Sequence, residues 1–340
     1  MLFRSTFLGY ITSEVEKRRI RHAFSHYMAP EMVERLAAHP EQLKLGGELR
    51  ETTILFCDVR NFTGISERLD AQTLTGLINR FLTPMTAAVM SNRGTIDKYI
   101  GDCIMAFWNA PLDDPRQGAN ACIAALAMRE RLAALNLELA AAGGALAEIA
   151  PLRFGIGLNS GTCTVGNLGS LQRFDYSVLG DTVNVSSRFE GLTKTFGVDI
   201  IIGERTRELA PGFAVMELDL VRVRGKTKPT HIYALLGDDT LLADENMKLL
   251  LAAHGEMIAA YRRRDWRAAR QQLTTCRLYD VNERFAKLYR LYDHRLTQFE
   301  RDPPPEDWDG VVEGAADSGA AMGHIRKADA AAALPATAAH

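Results

Sequence analysis

The chain has 340 residues, of which 47% are hydrophobic, and its 40 basic and 42 acidic side chains give a formal net charge of -2. This hydrophobic fraction is enough for a sizeable core in one large or two modest domains, which excludes a disordered protein. The balanced charge provides no broad basic face for a nucleic-acid backbone, so nucleic acid is not an expected partner.

The N-terminal segment carries no clear membrane or export signal. The apolar run at residues 2–11 is interrupted by Arg4, is too short to span a bilayer and lacks a cleavage site. Five scattered cysteines form no CxxC pair, which predicts reduced thiols. We therefore expect a cytoplasmic protein, or one held at the cytoplasmic face of a membrane in a longer form.

Residues 1–50 are predicted to form a helical linker. Apolar residues at irregular three- to five-residue spacing predict a helix over 7–28, and a short helix over 31–38 lies between two prolines. Gly46-Gly47 ends this connector.

The main domain is predicted to span residues 51–236. Its hydrophobic periodicity predicts the order βαββαβ with additions, and the second and third strands fold back at Gly101-Asp102. This order favours an α+β, ferredoxin-like sandwich with helices on one face of a mainly antiparallel sheet, and with the first strand beside the Gly101 hairpin. The predicted strands are 51–59, 95–109 (two strands), 152–159, 162–167, 198–202, 215–223 and 230–236, and the predicted helices are 66–92, 116–141 and 181–196.

The C-terminal part is predicted to contain a helical extension and a tail. Residues 242–300 have a helical pattern of the hairpin-repeat type without a clear period. Residues 311–340 are rich in alanine and glycine and almost free of large apolar groups, which predicts disorder. The candidate buried positions of the extension are Tyr261, Trp266, Ala269, Leu273, Phe285, Leu288, Leu291 and Phe299.

Two carboxylates follow apolar, strand-like runs beside a turn. Asp58 ends the run at 52–58, and Asp102 lies in the turn after Gly101. If the two acids meet at one edge of a sheet, their oxygens suit Mg²⁺ or Mn²⁺, which commonly bridge carboxylates to substrate phosphates. Two such ions can activate a hydroxyl and neutralise a polyphosphate leaving group. Taken singly, each acid is equally well explained as a capping or turn-forming residue.

Three sequence blocks resemble the signature of the class III adenylyl and guanylyl cyclase catalytic domain. They are FCDVRNFT at 56–63, KYIGD at 98–102 and YSVLGDTVNVSSR at 176–188. They occur in the family's order and spacing, and the resemblance covers residues 51–236. It implies the class III nucleotide cyclase fold and a reaction that forms a cyclic nucleotide from a nucleoside triphosphate.

The resemblance also implies the ligands of the metal ions and of the triphosphate. Asp58, Asp102 and the backbone carbonyl of Val59 correspond to the ligands of two divalent ions. Free N–H groups and the helix dipole favour an anion at the start of the following helix. The amides implied to hold the triphosphate there are those of Asn61, Phe62, Thr63 and Gly64.

Further cations and polar groups are implied by motif position. Asn184 corresponds to the residue that orients the ribose, and Arg188 to the cation that offsets charge on the reacting phosphate; without the motif both are typical of a helix surface. In VRGK at 223–226, Arg224 stands where the family usually has a triphosphate-binding lysine. Arginine can bind phosphate bidentately, and either Arg224 or Lys226 could make the contact.

Lys98 and Ser177 stand at the two base-reading positions of the family. Lys98 can donate to the N1 acceptor of adenine, whereas guanylyl cyclases usually carry glutamate there. Ser177 stands where many adenylyl cyclases have aspartate, one bacterial subclass has threonine or serine, and guanylyl cyclases usually have cysteine. The pair favours ATP, although Lys98 alone would more simply be a solvated strand residue.

The resemblance predicts an adenylate cyclase that forms 3',5'-cyclic AMP and pyrophosphate from ATP in a homodimer, for intracellular signal transduction. Two metal ions assist in-line attack of the ribose 3'-OH on the α-phosphorus. The general base stays open between Asp58 and a water molecule. The alternatives are a guanylate cyclase, which Lys98 disfavours, and a catalytically silent nucleotide-binding module, which would usually have lost a metal acid or Arg188.

The flanking segments resemble those of cyclases that follow a membrane-anchored sensor of the CHASE2 type. FSHYMAP at 24–30 and LGGELR at 45–50 are similar to the linker, and the segment ending in PPPEDWDG at 303–310 is similar to the C-terminal extension. Because the chain has no sensor domain, we expect a truncated form, a single-domain fragment or a soluble relative.

Overall fold

The computed structural model describes residues 45–222, 228–305, 308 and 310–311. The predicted linker helices, the cations Arg224 and Lys226, and all of the tail predicted to be disordered except Val311 lie outside these residues and stay predictions.

The described chain forms a mixed α+β domain followed by a helical extension. Its first half contains β1 Gly46–Val59, α1 Phe62–Ser66, α2 Ala71–Ser91, β2 Thr95–Ile100, β3 Cys103–Trp108, α3 Gln117–Ala142 and α4 Gly144–Ile149. The second half contains β4 Phe154–Gly169, β5 Phe174–Leu179, α5 Asp181–Phe196, β6 Ile200–Gly203, α6 Glu204–Leu209, β7 Ala214–Val221 and β8 Thr230–Gly237. The extension contains a 3₁₀ helix Asp239–Ala243, α7 Glu245–Arg262, α8 Trp266–Tyr279 and α9 Ala286–Arg301.

The described strands form one sheet in the order β2-β3-β1-β4-β6-β8-β7, and β5 pairs with β4 beside this path. All of these pairs are antiparallel except β4 with β6. The β2–β3 hairpin turns at Gly101, whose φ of 66° lies in the left-handed region that glycine adopts readily. The predicted neighbourhood of the first strand and the Gly101 hairpin is therefore confirmed, as is the ferredoxin-like α+β sandwich.

The strand pattern differs from the prediction along β1 and β4. The strands predicted at 152–159 and 162–167 are one continuous strand, Phe154–Gly169, because β1 starts at Gly46 rather than at residue 51 and pairs along it as far as Asn167. This long ladder continues through residues 160 and 161, which the prediction left between two strands. The far half of β4 also pairs with β5, which was not predicted.

Helices cover both faces of the sheet, so the prediction of helices on one face is wrong for α5. The helices α2 and α3 share one core with the sheet, as the βαββαβ pattern requires. Helix α5 lies on the other face, where a Cβ on Gly157 would be 2.2 Å from the carbonyl oxygen of Ser186. The Ser186 hydroxyl donates to the carbonyls of Ile54 and Gly157, each at 2.9 Å. The helix therefore packs directly against bare strand backbone.

The extension packs against the end of the sheet. Its helices share a second core with α5, β7 and β8. A buried ion pair between Arg295 and Asp219 at 2.7 Å, and a hydrogen bond of 2.6 Å from the Tyr292 hydroxyl to the Leu218 carbonyl, join α9 to β7. Five predicted positions are buried (Tyr261, Ala269, Leu273, Phe285 and Leu288), and three are partly buried (Trp266, Leu291 and Phe299).

Two further expectations concern thiols and membrane spans. The five cysteines are free, and four of them are buried while Cys103 is half-buried. Within the described ranges, every helix is too short or too polar to cross a lipid bilayer.

Candidate active site

A cleft of about 650 Å³ opens where β1 ends, beside the β2–β3 turn. Residues of β1, of the start of α1, of the turn and of α5 contribute to its wall. Among them are Asp58, Val59, Asn61, Phe62, Thr63, Gly101, Asp102, Ser187 and Lys194.

The two predicted acids meet in this cleft. Asp58 lies at the end of β1 and Asp102 in the adjacent turn, where its Oδ2 accepts a hydrogen bond of 3.2 Å from the Val59 N–H. Partial burial raises the pKa of Asp102 to about 8, and a hydrogen bond with Asp58 and the charge of that carboxylate contribute to the rise. Two carboxyl groups this close must share a proton or a cation.

The acid pair fits a divalent cation that takes its other ligands from the substrate. Nowhere in the described part of the chain do three or more His, Cys, Asp or Glu side chains cluster in a way that could hold a metal ion. Mg²⁺ characteristically binds through one or two carboxylates and completes its coordination with waters and phosphates. A cation between Asp58 and Asp102 would offset the burial and the Asp58 charge that raise the pKa of Asp102.

Without divalent cations, the folded chain should lose stability as the pH rises. The pKa of Asp102 is about 8 in the folded chain, against about 3.9 in an unfolded one. The folded state therefore binds a proton that unfolding releases, and the resulting stabilisation is complete below about pH 4 and is lost as the pH rises to about 8. In EDTA, Asp102→Asn should unfold at a higher temperature than wild type at about pH 8.5 and vary less with pH. Thermal melts with the same pH dependence in both proteins would contradict this prediction.

The start of α1 provides the backbone amides that the sequence predicts for the triphosphate. Asn61 is the N-cap, with a left-handed φ of 59°, and its side chain makes no capping hydrogen bond. The first N–H groups of a helix have no carbonyl acceptor within the helix. Phe62 and Thr63 line the cleft. At position 64 a Cβ would lie 3.0 Å from the Asn61 side chain, so glycine fits this turn best.

Lys98 and Ser177 both contact the carboxylate of a third residue, Asp97. The Ser177 hydroxyl donates a 2.7 Å hydrogen bond to Oδ2 of Asp97, and the Lys98 ammonium lies 3.2 Å from Oδ1 of the same carboxylate. The Asp97 side chain is fully buried, whereas 43% of the Lys98 side chain is exposed. The sequence interpretation gave Asp97 no role, although a carboxylate inside the apolar run of β2 was a visible signal.

Asn184 and Arg188 on α5 do not line the cleft that contains the two acids. Asn184 is exposed and Arg188 is half-buried. With respect to the described residues, neither side chain forms a hydrogen bond or an ion pair. Lys98 and Ser177 are also absent from the cleft wall. Within one chain, the two acids therefore share a cleft that the predicted base-reading residues and the predicted α5 residues do not line.

Glu190 is a buried carboxylate near the acids that the sequence interpretation missed. Burial and the charge of Asp58 raise its pKa to about 7. No hydrogen-bond donor within the described ranges reaches its Oε1. Its place four residues after Ser186, on the buried stripe of α5, was a signal that could have identified it.

A family model described as the adenylate and guanylate cyclase catalytic domain matches residues 47–237. Among curated proteins, the chain is 32% identical over 189 residues to adenylate cyclase 1 of Rhizobium meliloti (strain 1021), and covers 28% of that protein with 55% of its own length. It is 35% identical over 222 residues to an adenylate cyclase of Anabaena cylindrica, and covers 42% of that protein with 64% of its own length. The chain thus spans less than half the length of these two relatives.

Solved structures of two cyclases resemble the domain. The adenylyl cyclase CyaB from P. aeruginosa matches with a TM-score of 0.52 and 32% identity, over 57% of this chain and 97% of that one. The guanylyl cyclase Cya2 matches with a TM-score of 0.51 and 30% identity, over 57% of this chain and 95% of that one.

Proposed function

This chain belongs to the adenylate and guanylate cyclase catalytic domain family, and from that premise we propose that it is an adenylate cyclase, which converts ATP to 3',5'-cyclic AMP and pyrophosphate. The observation that carries the choice of ATP is the joint position of Lys98 and Ser177 on one buried carboxylate. A lysine donor suits the N1 acceptor of adenine and not the N1–H of guanine. We place the activity in intracellular signal transduction, in the cytoplasm.

We propose that Asp58, Asp102 and the Val59 carbonyl hold Mg²⁺ or Mn²⁺, with two ions per site. When bound, these ions would activate the ribose 3'-OH and neutralise charge on the pyrophosphate. The adjacent amides at the start of α1 would bind the triphosphate, helped by a cation from the 223–226 segment. The support for this proposal is that the acids and the α1 amides share one cleft.

We further propose that two chains build each site as a homodimer. In one chain the acids lie in a cleft that Lys98, Ser177, Asn184 and Arg188 do not line. ATP must contact the acids and the base-reading residues Lys98 and Ser177 at once if its base is read while its α-phosphate reacts. A twofold dimer would bring the acids of one chain to the Asn184 and Arg188 of its partner, and would form two equal sites.

A product assay tests the proposed function. The purified chain is incubated with ATP or GTP in the presence of Mn²⁺ or Mg²⁺, and cyclic AMP and cyclic GMP are measured separately. We expect cyclic AMP as the main product. The similarity to the guanylyl cyclase Cya2 makes guanylate cyclase the second candidate, and cyclic GMP as the main product would establish it. No product with either substrate would favour a catalytically silent nucleotide-binding module.

Replacing Lys98 by glutamate should reduce the preference for ATP over GTP. The carboxylate would place an acceptor against the N1 acceptor of adenine, and an unsatisfied buried polar group costs about 1 to 3 kcal/mol. Such a cost lowers kcat/KM for ATP by about 5- to 150-fold relative to GTP. The measurement is the ratio of kcat/KM for the two nucleotides. A ratio equal to that of wild type would show that Lys98 does not read the base.

A further inference from the structure

The Ser177 hydroxyl can act only as an acceptor toward a further partner, because it already donates its single proton to Asp97. A serine hydroxyl can donate one hydrogen bond and accept two. Ser177 donates to Oδ2 of Asp97 at 2.7 Å, and an ionised carboxylate can only accept. The lone pairs of the Ser177 oxygen therefore remain for another partner. A group that donates to Ser177 is matched to this arrangement, and a group that accepts is not.

The position of Asp97 depends on an irregularity in β2. Ile96 pairs with Ala106 and Lys98 with Met105, so the register shifts and Asp97 is the extra residue. Such a bulge re-aims side chains at the strand edge, and bulges commonly lie beside active sites. Because of the bulge, the consecutive residues Asp97 and Lys98 both lie near Ser177. Asp97 contacts Ser177 directly, and the Lys98 ammonium lies 3.2 Å from Oδ1 of Asp97.

The environment of Asp97 holds its carboxylate in place. Its side chain has no exposed surface. Burial raises the pKa of Asp97 above its ordinary value, and hydrogen bonds from Ser177, Lys98 and the Val178 N–H together with the charge of Lys98 limit this rise by stabilising the ionised form. The Lys98 ammonium lies 3.2 Å from Oδ1 and has three N–H donors, so it keeps N–H groups for another acceptor.

We propose that Asp97 is a positioning residue for base selection, which turns Ser177 into an acceptor for the 6-amino group of adenine while Lys98 donates to N1. The inference rests on the proposed function, since it assumes that Lys98 and Ser177 read the base. It extends that function to a residue that does not itself contact the nucleotide. The 6-amino group of adenine is a donor and matches this acceptor, whereas the 6-oxo group of guanine is itself an acceptor and does not.

The test compares ATP with purine riboside triphosphate, which keeps the N1 acceptor and lacks the 6-amino group. One hydrogen bond changes kcat/KM by about fivefold, so wild type should prefer ATP by about that factor. Asp97→Ala removes the acceptor for the Ser177 proton. In Asp97→Asn, the Lys98 charge favours the amide oxygen on its own side and so turns the NH₂ group toward Ser177. Both variants should lower the ratio, because the Ser177 hydroxyl is no longer held as an acceptor, and the nearly isosteric Asp97→Asn keeps the test valid if Asp97→Ala does not fold.

Control variants separate base selection from a loss of stability. Ser177→Ala should bring the ratio close to one, and adding Asp97→Asn to it should change the ratio no further. Ser177→Thr keeps a hydroxyl and should retain the wild-type ratio. The exposed Asp239 gives a matched change of charge, so Asp239→Asn should keep both the ratio and the activity. A merely structural effect of Asp97 would lower kcat/KM for both nucleotides equally.

Each contrary outcome has a distinct meaning. If both Asp97 variants keep the wild-type ratio while Ser177→Ala loses it, the role of Asp97 is wrong and the proposed function stands. If Ser177→Ala also keeps the ratio, Ser177 does not read the 6-amino group and the inference falls with it. If wild type forms no cyclic AMP from ATP, the proposed function fails and takes this inference with it.

Discussion

Alanine in place of either Asp58 or Asp102 should abolish cyclase activity while the chain stays folded. The two carboxylates are the acidic groups of the cleft that can hold hard divalent ions. Without the bound ions, the transition state loses several kcal/mol of charge stabilisation. An increase of about 4 kcal/mol in the activation free energy corresponds to about a thousandfold loss of kcat. The measurement is cyclic AMP formation with Mn²⁺, together with the far-UV circular dichroism of each variant, which should stay close to wild type.

The pKa of Asp102 provides the reason why its replacement should not unfold the chain. Burial and Asp58 raise this pKa to about 8, so the ionised group is unfavourable in the folded state when no cation is bound. Removing it relieves this unfavourable charge, while the hydrogen bonds with Asp58 and with the Val59 N–H are lost. The exposed Asp239 supplies the control, since Asp239→Ala should keep full activity. Substantial cyclic AMP formation by Asp102→Ala would show that the acid pair does not hold catalytic ions.

A mixture of two inactive variants should regain activity. Asp58→Ala removes one of the two metal-binding acids of a chain. Arg188→Ala removes the cation that the same chain would supply to its partner's site. In a dimer with shared sites, a mixed pair has one doubly damaged site and one intact site. Random exchange makes half of the dimers mixed with half of their sites intact, so the mixture should reach about a quarter of wild-type activity.

The control for this experiment is a mixture of Asp58→Ala with Asp102→Ala. Both changes damage the acid group, so every site of the mixed dimer lacks one acid and no activity should return. Exchange of subunits is followed independently, by mass or by fluorescence energy transfer between labelled chains. If the subunits exchange and the Asp58→Ala and Arg188→Ala mixture stays inactive, the shared-site proposal is wrong.

The sequence alone predicted those features that depend on short stretches of chain. Asp58 and Asp102 each follow an apolar strand run beside a turn, and strand periodicity and turn chemistry are local properties. The hairpin at Gly101 and the bounds of α5 were predicted for the same reason. Motif order and spacing then indicated the family, which the match over residues 47–237 confirms.

The tertiary structure decided which distant residues meet. Asp97 and Ser177 are 80 positions apart, and their hydrogen bond exists because a bulge in β2 and the unpredicted strand β5 place them side by side. The hydrophobic periodicity of α5 also did not show which face of the sheet the helix covers, because the close approach of α5 to the sheet depends on Gly157 of β4. The periodicity of a strand or helix shows which of its sides is buried, but it does not show which other element packs against that side. Pairing and packing between distant segments supply that partner, so the sequence identified the acids while the fold determined which carboxylate holds Ser177.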